Sequence, residues 1–494
     1  MFSFNKVLFP LFLFFYLPVF AQESINLSLD EVMNLAEERS LEALSARNAF
    51  LASYWDFRYY KAGKLPILSL QLNPIEYYNT TTKRYDIENN IELYKEQKII
   101  NSYAGLSLSQ NLPFSGGSIS LNSDLSRLVN FGDNYLVNYH ATLVSIAYTQ
   151  PLFGFNKFKW QNKTDPLEYE VAQKEYLQQM QHIKLKAFDL YFELLLAGAR
   201  YETALQNYAA ADTLHKIGEK KFDILSARYQ DVLELERNKL MAESEIIKSQ
   251  QEIQQANSQL ISFLNLDKQV TIRPEIPGIL PDISIDAEDV LQKSYANNSL
   301  PSQEKLKIMQ AEMQYEKSVR ENRFSANLIA GYGLNQYADN LADAYRDPLP
   351  QEIVTIGMSI PITDWGKGEG AKQVALNRWE EAKTEAKKNE RDFEQNIRLT
   401  VSKFNIQNRL VNNARRVYEI SKLTAKQTQK NYMSGNADIL ELNTAFENRQ
   451  RAYESYIESI RLLRRKYYEI ISISLYDYIE NKPLSSDFNR LYKQ

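Results

Sequence analysis

The stretch NYMSGNADILELNTA, residues 431–445, interrupts an interval whose composition is otherwise that of a long helix. Gly435 is the only glycine between Gly370 and the end of the chain, and no proline lies near it. Because glycine reaches the left-handed backbone region at little cost, this stretch predicts one sharp turn between two helices. Two acidic residues, Asp438 and Glu441, follow the turn at helical spacing.

The chain contains two long intervals without proline, residues 167–273 and 362–482. Proline inside a helix costs about 3 kcal/mol, so its absence over such lengths predicts very long helices. A helix from residue 157 to 220 would be roughly 95 Å long, whereas a compact globule of this chain length has a radius of gyration of about 23 Å. Such a rod must project and be flanked by other helices. An apolar stripe at spacings of three and four is typical of a coiled coil, and also of an ordinary helical bundle: Tyr453, Ile457, Ile460, Leu463, Tyr467 and Ile470.

The overall composition argues against several classes of site. A net charge of −4 over 494 residues does not indicate a nucleic-acid-binding protein. The chain has no cysteine, which excludes a disulfide, a thiolate metal site and a cysteine nucleophile. Its three histidines, His140, His182 and His215, lack metal-ligand spacing. No glycine-rich phosphate loop or nucleophile motif occurs, so the sequence predicts no enzyme, no metal site and no cofactor.

Residues 1–21 have the pattern of a secretory signal peptide. Lys6 precedes an apolar run from Val7 to Phe20, and the small residue Ala21 ends the segment. The alternative, a membrane anchor helix, is disfavoured because the run is short and contains two prolines, Pro10 and Pro18. No later segment approaches 18 consecutive apolar residues, so the sequence predicts export and no transmembrane helix.

Between the long helices, apolar residues alternate with small or polar ones, as in strands with one apolar face. The first half holds four candidate strands, at about 65–75, 102–112, 117–127 and 140–150. The second half holds two, marked by Leu328, Ala330, Tyr332 and Leu334 and by Val354, Ile356, Met358 and Ile360. This alternation is typical of a transmembrane β-barrel and also of a soluble β-sandwich edge. Export and the 32 tyrosines favour the barrel.

The chain repeats itself at an offset of 210 residues, which pairs Pro151 with Pro361 and continues without a gap for more than a hundred residues. The segments 25–42 and 281–301 also resemble each other. The predicted organisation is repeat 1 at 22–267, a linker at 268–283, repeat 2 at 284–480 and a C-terminal tail at 481–494. The offset places Leu225 opposite Gly435, so repeat 1 must make its turn without glycine, within residues 223–228.

Five segments together resemble the TolC family of outer-membrane efflux and secretion channels: LSLDEVMNLA (27–36), YTQPLF (148–153), SIPITDWG (359–366), NYMSGNADILELNTA and SLYDY (474–478). The resemblance implies a mainly α fold with a transmembrane β-barrel part. It implies a homotrimer that shares one barrel in outer-membrane lipid, and a long tunnel of antiparallel coiled-coil helices in the periplasm. Family members typically have two strands per repeat and twelve in the trimer. The extra hairpin of repeat 1 therefore either enlarges the barrel or lies against or above it.

The function implied by the resemblance is that of a passive exit channel, in a tripartite efflux pump or a type I secretion system. Its implied partners are a periplasmic adaptor (a membrane fusion protein) and an inner-membrane transporter, without nucleic acid. The alternative is a structural or adhesive outer-membrane protein whose coiled coil only acts as a periplasmic spacer.

The resemblance also carries roles over to residues near the turn. Glu441 and Thr444 occupy the positions of two acids that line the family's tunnel entrance, and Asp438 would partly substitute for the acid missing at Thr444. For each acid the alternative is a solvated side chain at a helix start, where the helix dipole favours it. A hydrogen bond between Tyr432 and Asp231 would close the entrance. The family's basic residue two positions after the glycine is missing here.

Overall fold

The computed structural model of the chain describes residues 24–492 except 88–89, 132–134, 226–227, 268–269 and 279. The predicted signal peptide lies outside the described residues. The chain forms two compact units. The first comprises the chain up to Ser45 with Gln179–Ile285 and Thr400–Ser472, and the second comprises Ala46–Gln178, Asp286–Leu399 and Ile473–Gln494.

Four of the described helices are long, and their ends are spaced by the same 210-residue offset as the sequence repeat. The helices are α1 (Leu29–Arg39), α2 (Leu41–Ala62), α3 (Lys157–Asp223), α4 (Tyr229–Leu264), α5 (Ala287–Asn297), α6 (Ser299–Glu321), α7 (Lys367–Met433), α8 (Ile439–Ser474) and α9 (Phe488–Leu491). Helices α3 and α7 have 67 residues each, and α4 and α8 have 36 each. Each end of α7 and α8 lies 210 residues after the matching end of α3 and α4 (for example, 367 − 157 = 210). The predicted long helices are confirmed.

Local capping explains where the short helices of each half begin. The Ser28 hydroxyl accepts a hydrogen bond from the Glu31 backbone N–H (3.3 Å), and the Glu31 carboxylate accepts one from the Ser28 N–H (2.8 Å). This capping box satisfies two backbone donors at the start of α1. In the second half, the Asp286 carboxylate caps α5 by accepting from the Asp289 N–H at 3.0 Å.

Six strands form one antiparallel sheet in the second unit, in the order β2-β3-β4-β5-β7-β8. In chain order the strands are β1 (Ser24–Leu27), β2 (Ile67–Asp86), β3 (Ile91–Leu112), β4 (Gly117–Asn130), β5 (Leu136–Pro151), β6 (Thr271–Pro274), β7 (Ser325–Ala338), β8 (Leu349–Ser359), β9 (Tyr476–Asp477) and β10 (Lys482–Pro483). Strand β1 pairs with β6 in parallel, and β9 with β10 in antiparallel fashion. All six predicted strands exist, and β2 and β3 extend well beyond their predicted bounds.

The strand register gives this sheet one apolar and one polar face. Residues directly opposite on neighbouring strands share a face. One row of such residues is mostly apolar and crosses all six strands: Leu68, Leu108, Leu121, Ile146, Tyr332 and Glu352. The adjacent row is polar or small throughout: Ser69, Ser107, Asn122, Ser145, Gly333 and Gln351. The apolar face is exposed in the single chain, with Leu121 at 42% and Ile146 at 48% of full exposure.

The apolar stripe predicted in α8 packs inside the first unit. Ile457, Ile460, Leu463, Tyr467 and Ile470 are all buried. The largest buried side chains of α3, which include Phe188, Tyr191 and Phe192, belong to the same unit. Within the described residues, no helix is both long enough and apolar enough to cross a membrane.

Candidate functional site

The candidate site lies at the two helix turns of the first unit, where α3 meets α4 and α7 meets α8. At the second turn, Gly435 has a φ of +80°. Its N–H donates to the Tyr432 carbonyl (3.1 Å), and the Asn436 N–H donates to the Asn431 carbonyl (2.8 Å). These two bonds form a Schellman motif, which satisfies the free carbonyls at the end of α7. The turn predicted from NYMSGNADILELNTA is confirmed.

The first turn reproduces this geometry without glycine. Leu225, the residue that the offset places opposite Gly435, has a φ of +58°. Its N–H donates to the Phe222 carbonyl at 2.8 Å, which matches the bond from Gly435 to Tyr432. The turn therefore lies within the predicted interval. Leucine rarely adopts the left-handed backbone conformation, so this turn carries backbone strain that the second turn avoids.

A small apolar cluster lies beneath the turns and joins three of the helices. Leu214 of α3, Leu235 of α4 and Leu442 of α8 are buried together, at 4%, 3% and 0% exposure. Tyr432 packs against this cluster, as do Ile439 and Phe446. Burial, and secondarily the negative charge of Asp231, raises the pKa of the Tyr432 hydroxyl. Tyr432 thus keeps its proton at neutral pH and can donate a hydrogen bond.

The two acids after the second turn have different surroundings. Asp438 caps α8, since its carboxylate accepts from the Glu441 backbone N–H at 2.7 Å. Glu441 is exposed, and its own carboxylate has no hydrogen bond or ion pair among the described residues. Thr444 is also exposed, and its hydroxyl donates to the Leu440 carbonyl one turn earlier (2.8 Å). Glu441 is therefore the acid of this group whose charge is least committed to holding the fold.

Asp231 has a partner that the sequence analysis missed. Its carboxylate accepts hydrogen bonds from Arg228: 3.1 Å from Nε, 2.8 Å from Nη2 and 3.3 Å from the backbone N–H. These bonds lower the pKa of Asp231 below its usual value. The spacing of three residues between an arginine and an acid at a helix start was the available signal. Among the described residues, Arg228 supplies all the hydrogen-bond donors to the Asp231 carboxylate. The bond between Asp231 and Tyr432 therefore remains a prediction.

The described residues contain no group of three or more His, Asp or Glu side chains arranged to hold a metal ion. The side chains that the structure places near the turns include the exposed carboxylate of Glu441, the paired carboxylate of Asp231 and the protonated phenol of Tyr432.

No protein-family model matches the sequence, and a search of curated proteins finds no match. Solved structures do match. The Campylobacter jejuni CmeC outer membrane channel aligns over 94% of this chain and 88% of its own, with a TM-score of 0.65 and 12% identity. VceC, an outer membrane protein of Vibrio cholerae, aligns over 92% and 97% (TM-score 0.63, 13% identity). The outer-membrane channel OprN aligns over 90% and 89% (TM-score 0.64, 14% identity).

The chain has the fold of these outer-membrane channels. The likeness covers nearly the full length on both sides, and at these identities it concerns the fold. It agrees with the mainly α fold with a β-sheet part that the resemblance to the TolC family implies, while the closed barrel and the trimer remain predictions. The described sheet of this chain has six strands, and the extra hairpin of the first half supplies two of them.

Proposed function

We propose that the protein is the outer-membrane exit channel of an efflux pump or a type I secretion system, and that it acts as a passive conduit. The observation that carries this proposal is the sheet, with its exposed apolar face and its polar face. An exposed apolar surface of this extent needs a cover. Lipid on the apolar side and water on the polar side give the arrangement of a transmembrane barrel wall.

In this proposal three copies of the chain close the wall into a barrel in the outer membrane. The long helices of each copy continue it as a tunnel in the periplasm. The partners are a periplasmic adaptor and an inner-membrane transporter, which supply the cargo and the energy. The protein itself then needs only to bind its partners and to open, and it needs no catalytic group.

The helix turns form the periplasmic mouth of the proposed conduit. Three copies of Glu441 would place a ring of negative charge there, because this carboxylate is exposed and unpaired within the described chain. Such a ring attracts cations and repels anions. Asp438 contributes less in this scheme, since its carboxylate already caps a helix. Thr444 adds no charge, so one ring rather than two sets the selectivity.

The proposed closed mouth uses the bond between Tyr432 and Asp231. Arg228 already holds the Asp231 carboxylate, and we expect this ion pair to weaken the bond that closes the mouth. Closed-state conductance in a lipid bilayer tests this step. Tyr432→Phe and Asp231→Ala should raise it, and Arg228→Gln should lower it. If Tyr432→Phe and Asp231→Ala both leave the closed-state current unchanged, the gate bond is wrong.

The main experiment is to purify the protein from outer membranes, measure its mass in detergent and record currents in planar lipid bilayers. A trimer with stable, cation-preferring single-channel currents is expected. Reduced cation preference in Glu441→Gln, with the current retained, would assign the preference to the proposed ring. A protein that forms no trimer and carries no current would instead fit the spacer function and would contradict the proposal.

A further inference from the structure

The extra hairpin of the first half, β3 and β4, lies inside the sheet rather than beside it. In each half, one strand comes directly after a helix and another leads into a long helix. In the first half β2 follows α2 and β5 leads into α3, and in the second half β7 follows α6 and β8 leads into α7. In the second half these two strands pair directly with each other. In the first half, β3 and β4 separate them, so that β2 pairs with β3 and β5 pairs with β4.

The turn of this hairpin is fixed at the end of the sheet where α3 begins. Gln150 Nε2 donates to the Ser115 carbonyl at 2.8 Å, and Asn156 Nδ2 donates to the Pro113 carbonyl at 3.0 Å. Gly116 makes the turn with a φ of +79°. Moving the hairpin out of the sheet would break these bonds and both neighbouring ladders. The hairpin therefore counts as part of the wall.

One segment of each outer strand of the sheet, residues 67–73 of β2 and 353–359 of β8, lacks the charges that usually protect free edges. Natural edge strands carry charges, bulges or covering segments that prevent pairing with other chains. Residues 67–73 of β2 and 353–359 of β8 contain no charged side chain, and all of them are exposed. Pro74 and Pro350 lie just outside these segments. Edges of this kind are suited to pairing with a further strand.

The strand directions make the two edges fit each other. Every neighbouring pair in the sheet is antiparallel, so in a set of six strands the first and the last run in opposite directions. Strand β8 of a second copy can therefore continue the antiparallel pattern beside β2. The apolar face also continues across this joint, from Leu70 on β2 to Ile356 on β8, because the register places both on that face. A head-to-tail interface of this kind forms a ring when its rotation closes.

We propose that β2 of each copy pairs with β8 of the next, and that each copy contributes six strands to the closed wall. This inference rests on the trimer of the proposed function, for which three sets of six give eighteen strands. With strands about 4.8 Å apart and tilted by about 40°, the wall is about 36 Å across, against about 24 Å for twelve strands. A wall of sixteen to eighteen strands leaves a water-filled channel without side chains that meet across it.

Disulfide cross-linking tests the joint, and the natural chain is suited to it because it has no cysteine. Leu70→Cys on β2 is combined in turn with Val354→Cys, Ile356→Cys or Met358→Cys on β8, all on the apolar face. Directly opposite residues on paired strands have Cβ atoms about 4.5–5.5 Å apart, close to disulfide distance. The matched control combines Leu70→Cys with Thr355→Cys, which lies on the polar face. Outer-membrane fractions are oxidised and run on non-reducing gels.

At least one same-face pair is expected to give a ladder that ends at the trimer, while the control pair and Leu70→Cys alone give none. A second double variant, Leu70→Cys with Ile146→Cys, covers the alternative in which the hairpin leaves the wall and β2 pairs with β5. A cross-link within one chain in that variant overturns the proposal. So does the absence of a ladder in all three same-face pairs when the protein still forms trimers and carries current. If the cysteine-free protein forms no trimer and carries no current, the proposed function fails as well.

Discussion

Substitutions at the two helix turns, Gly435→Ala and Leu225→Gly, are expected to change local stability in opposite directions. Both positions lie in the left-handed region, with φ values of +80° and +58°. A Cβ at position 435 would have no heavy atom within 4 Å, so only the backbone conformation opposes alanine there. The Leu225 side chain is 92% exposed, so its removal costs few contacts. The pair therefore isolates the backbone contribution to each turn.

The magnitude follows from two opposing effects. A non-glycine residue in the left-handed region costs about 1–2 kcal/mol. The loss of glycine's freedom in the unfolded chain returns about 0.4–1 kcal/mol. Gly435→Ala should therefore destabilise its turn by about 1 kcal/mol, and Leu225→Gly should stabilise its turn by a similar amount. A difference of about 1 kcal/mol is roughly a fivefold change in the equilibrium between the folded turn and the locally unfolded turn.

Hydrogen exchange measured by mass spectrometry is the suitable assay, because it reports local opening at each turn separately. Peptides that cover 428–442 should exchange faster in Gly435→Ala, and peptides that cover 218–232 should exchange more slowly in Leu225→Gly. Gly198→Ala, inside α3 and with no atom near the added Cβ, is the control and should leave both turns unchanged. A change of the same sign in both turn variants, or no change in either, would refute the reasoning.

Three further outcomes are expected. Glu441→Gln should lower the ratio of cation to anion permeability, measured from reversal potentials in a salt gradient, without abolishing the current. Gly218→Ala should be less stable than Gly198→Ala by about 1–3 kcal/mol in thermal unfolding followed by circular dichroism, because its Cβ would lie 2.5 Å from Cδ1 of buried Leu235. An equal stability of these two variants would mean that Leu235 yields freely. Tyr191→Phe should cost about 1–3 kcal/mol and speed exchange at 271–276, since the Tyr191 hydroxyl donates to the Glu275 carbonyl (2.7 Å) and accepts from the Glu275 N–H (2.9 Å). Burial raises the pKa of Tyr191 to about 12, so the stabilisation by its hydroxyl is complete below pH 10 and is lost as the pH rises toward 12. If the natural protein lost this stabilisation near neutral pH, the assigned role of the hydroxyl would be wrong.

The sequence predicted the long helices and their turns well because the signals there are local and energetically strong. Proline in a helix interior is costly, so the proline-free intervals contain α4, α7, α8 and most of α3, in which Pro166 is the tenth residue. The offset between the repeats then located the first turn, although Leu225 gives no sign of a left-handed conformation by itself. The structure gives the two turns the same hydrogen bond and the same sign of φ.

The full extent of β2 and β3 could not be predicted, because their outer parts lack an alternating pattern. Beyond Glu76 and Asn101 the two strands pair with each other as far as Asp86 and Ile91. Strand β4 reaches only to the pair Ile99–Asn130. Most of the described side chains in this part of the hairpin are exposed, so nothing selects apolar residues at every second position.

At the candidate site, the sequence identified the acids but not their partners. Asp438 and Glu441 look equivalent by type and spacing, yet one caps a helix and the other is unpaired among the described residues. The pairing of Asp231 with Arg228 depends on how the chain enters α4, which the residue types alone do not define. Electrostatic roles were therefore the least predictable part of the site.

The most direct test of the account is a block of the current at the proposed mouth. Glu441→Cys would introduce the only cysteine of the chain, and the natural cysteine-free protein is the control. A bulky, positively charged thiol reagent is added to the helical side of channels in a planar bilayer. If the turns surround the entrance of a conduit, the reagent reduces the single-channel current in Glu441→Cys and leaves the natural protein unaffected. A channel that is fully modified at this position, yet conducts as before, would contradict the central claim.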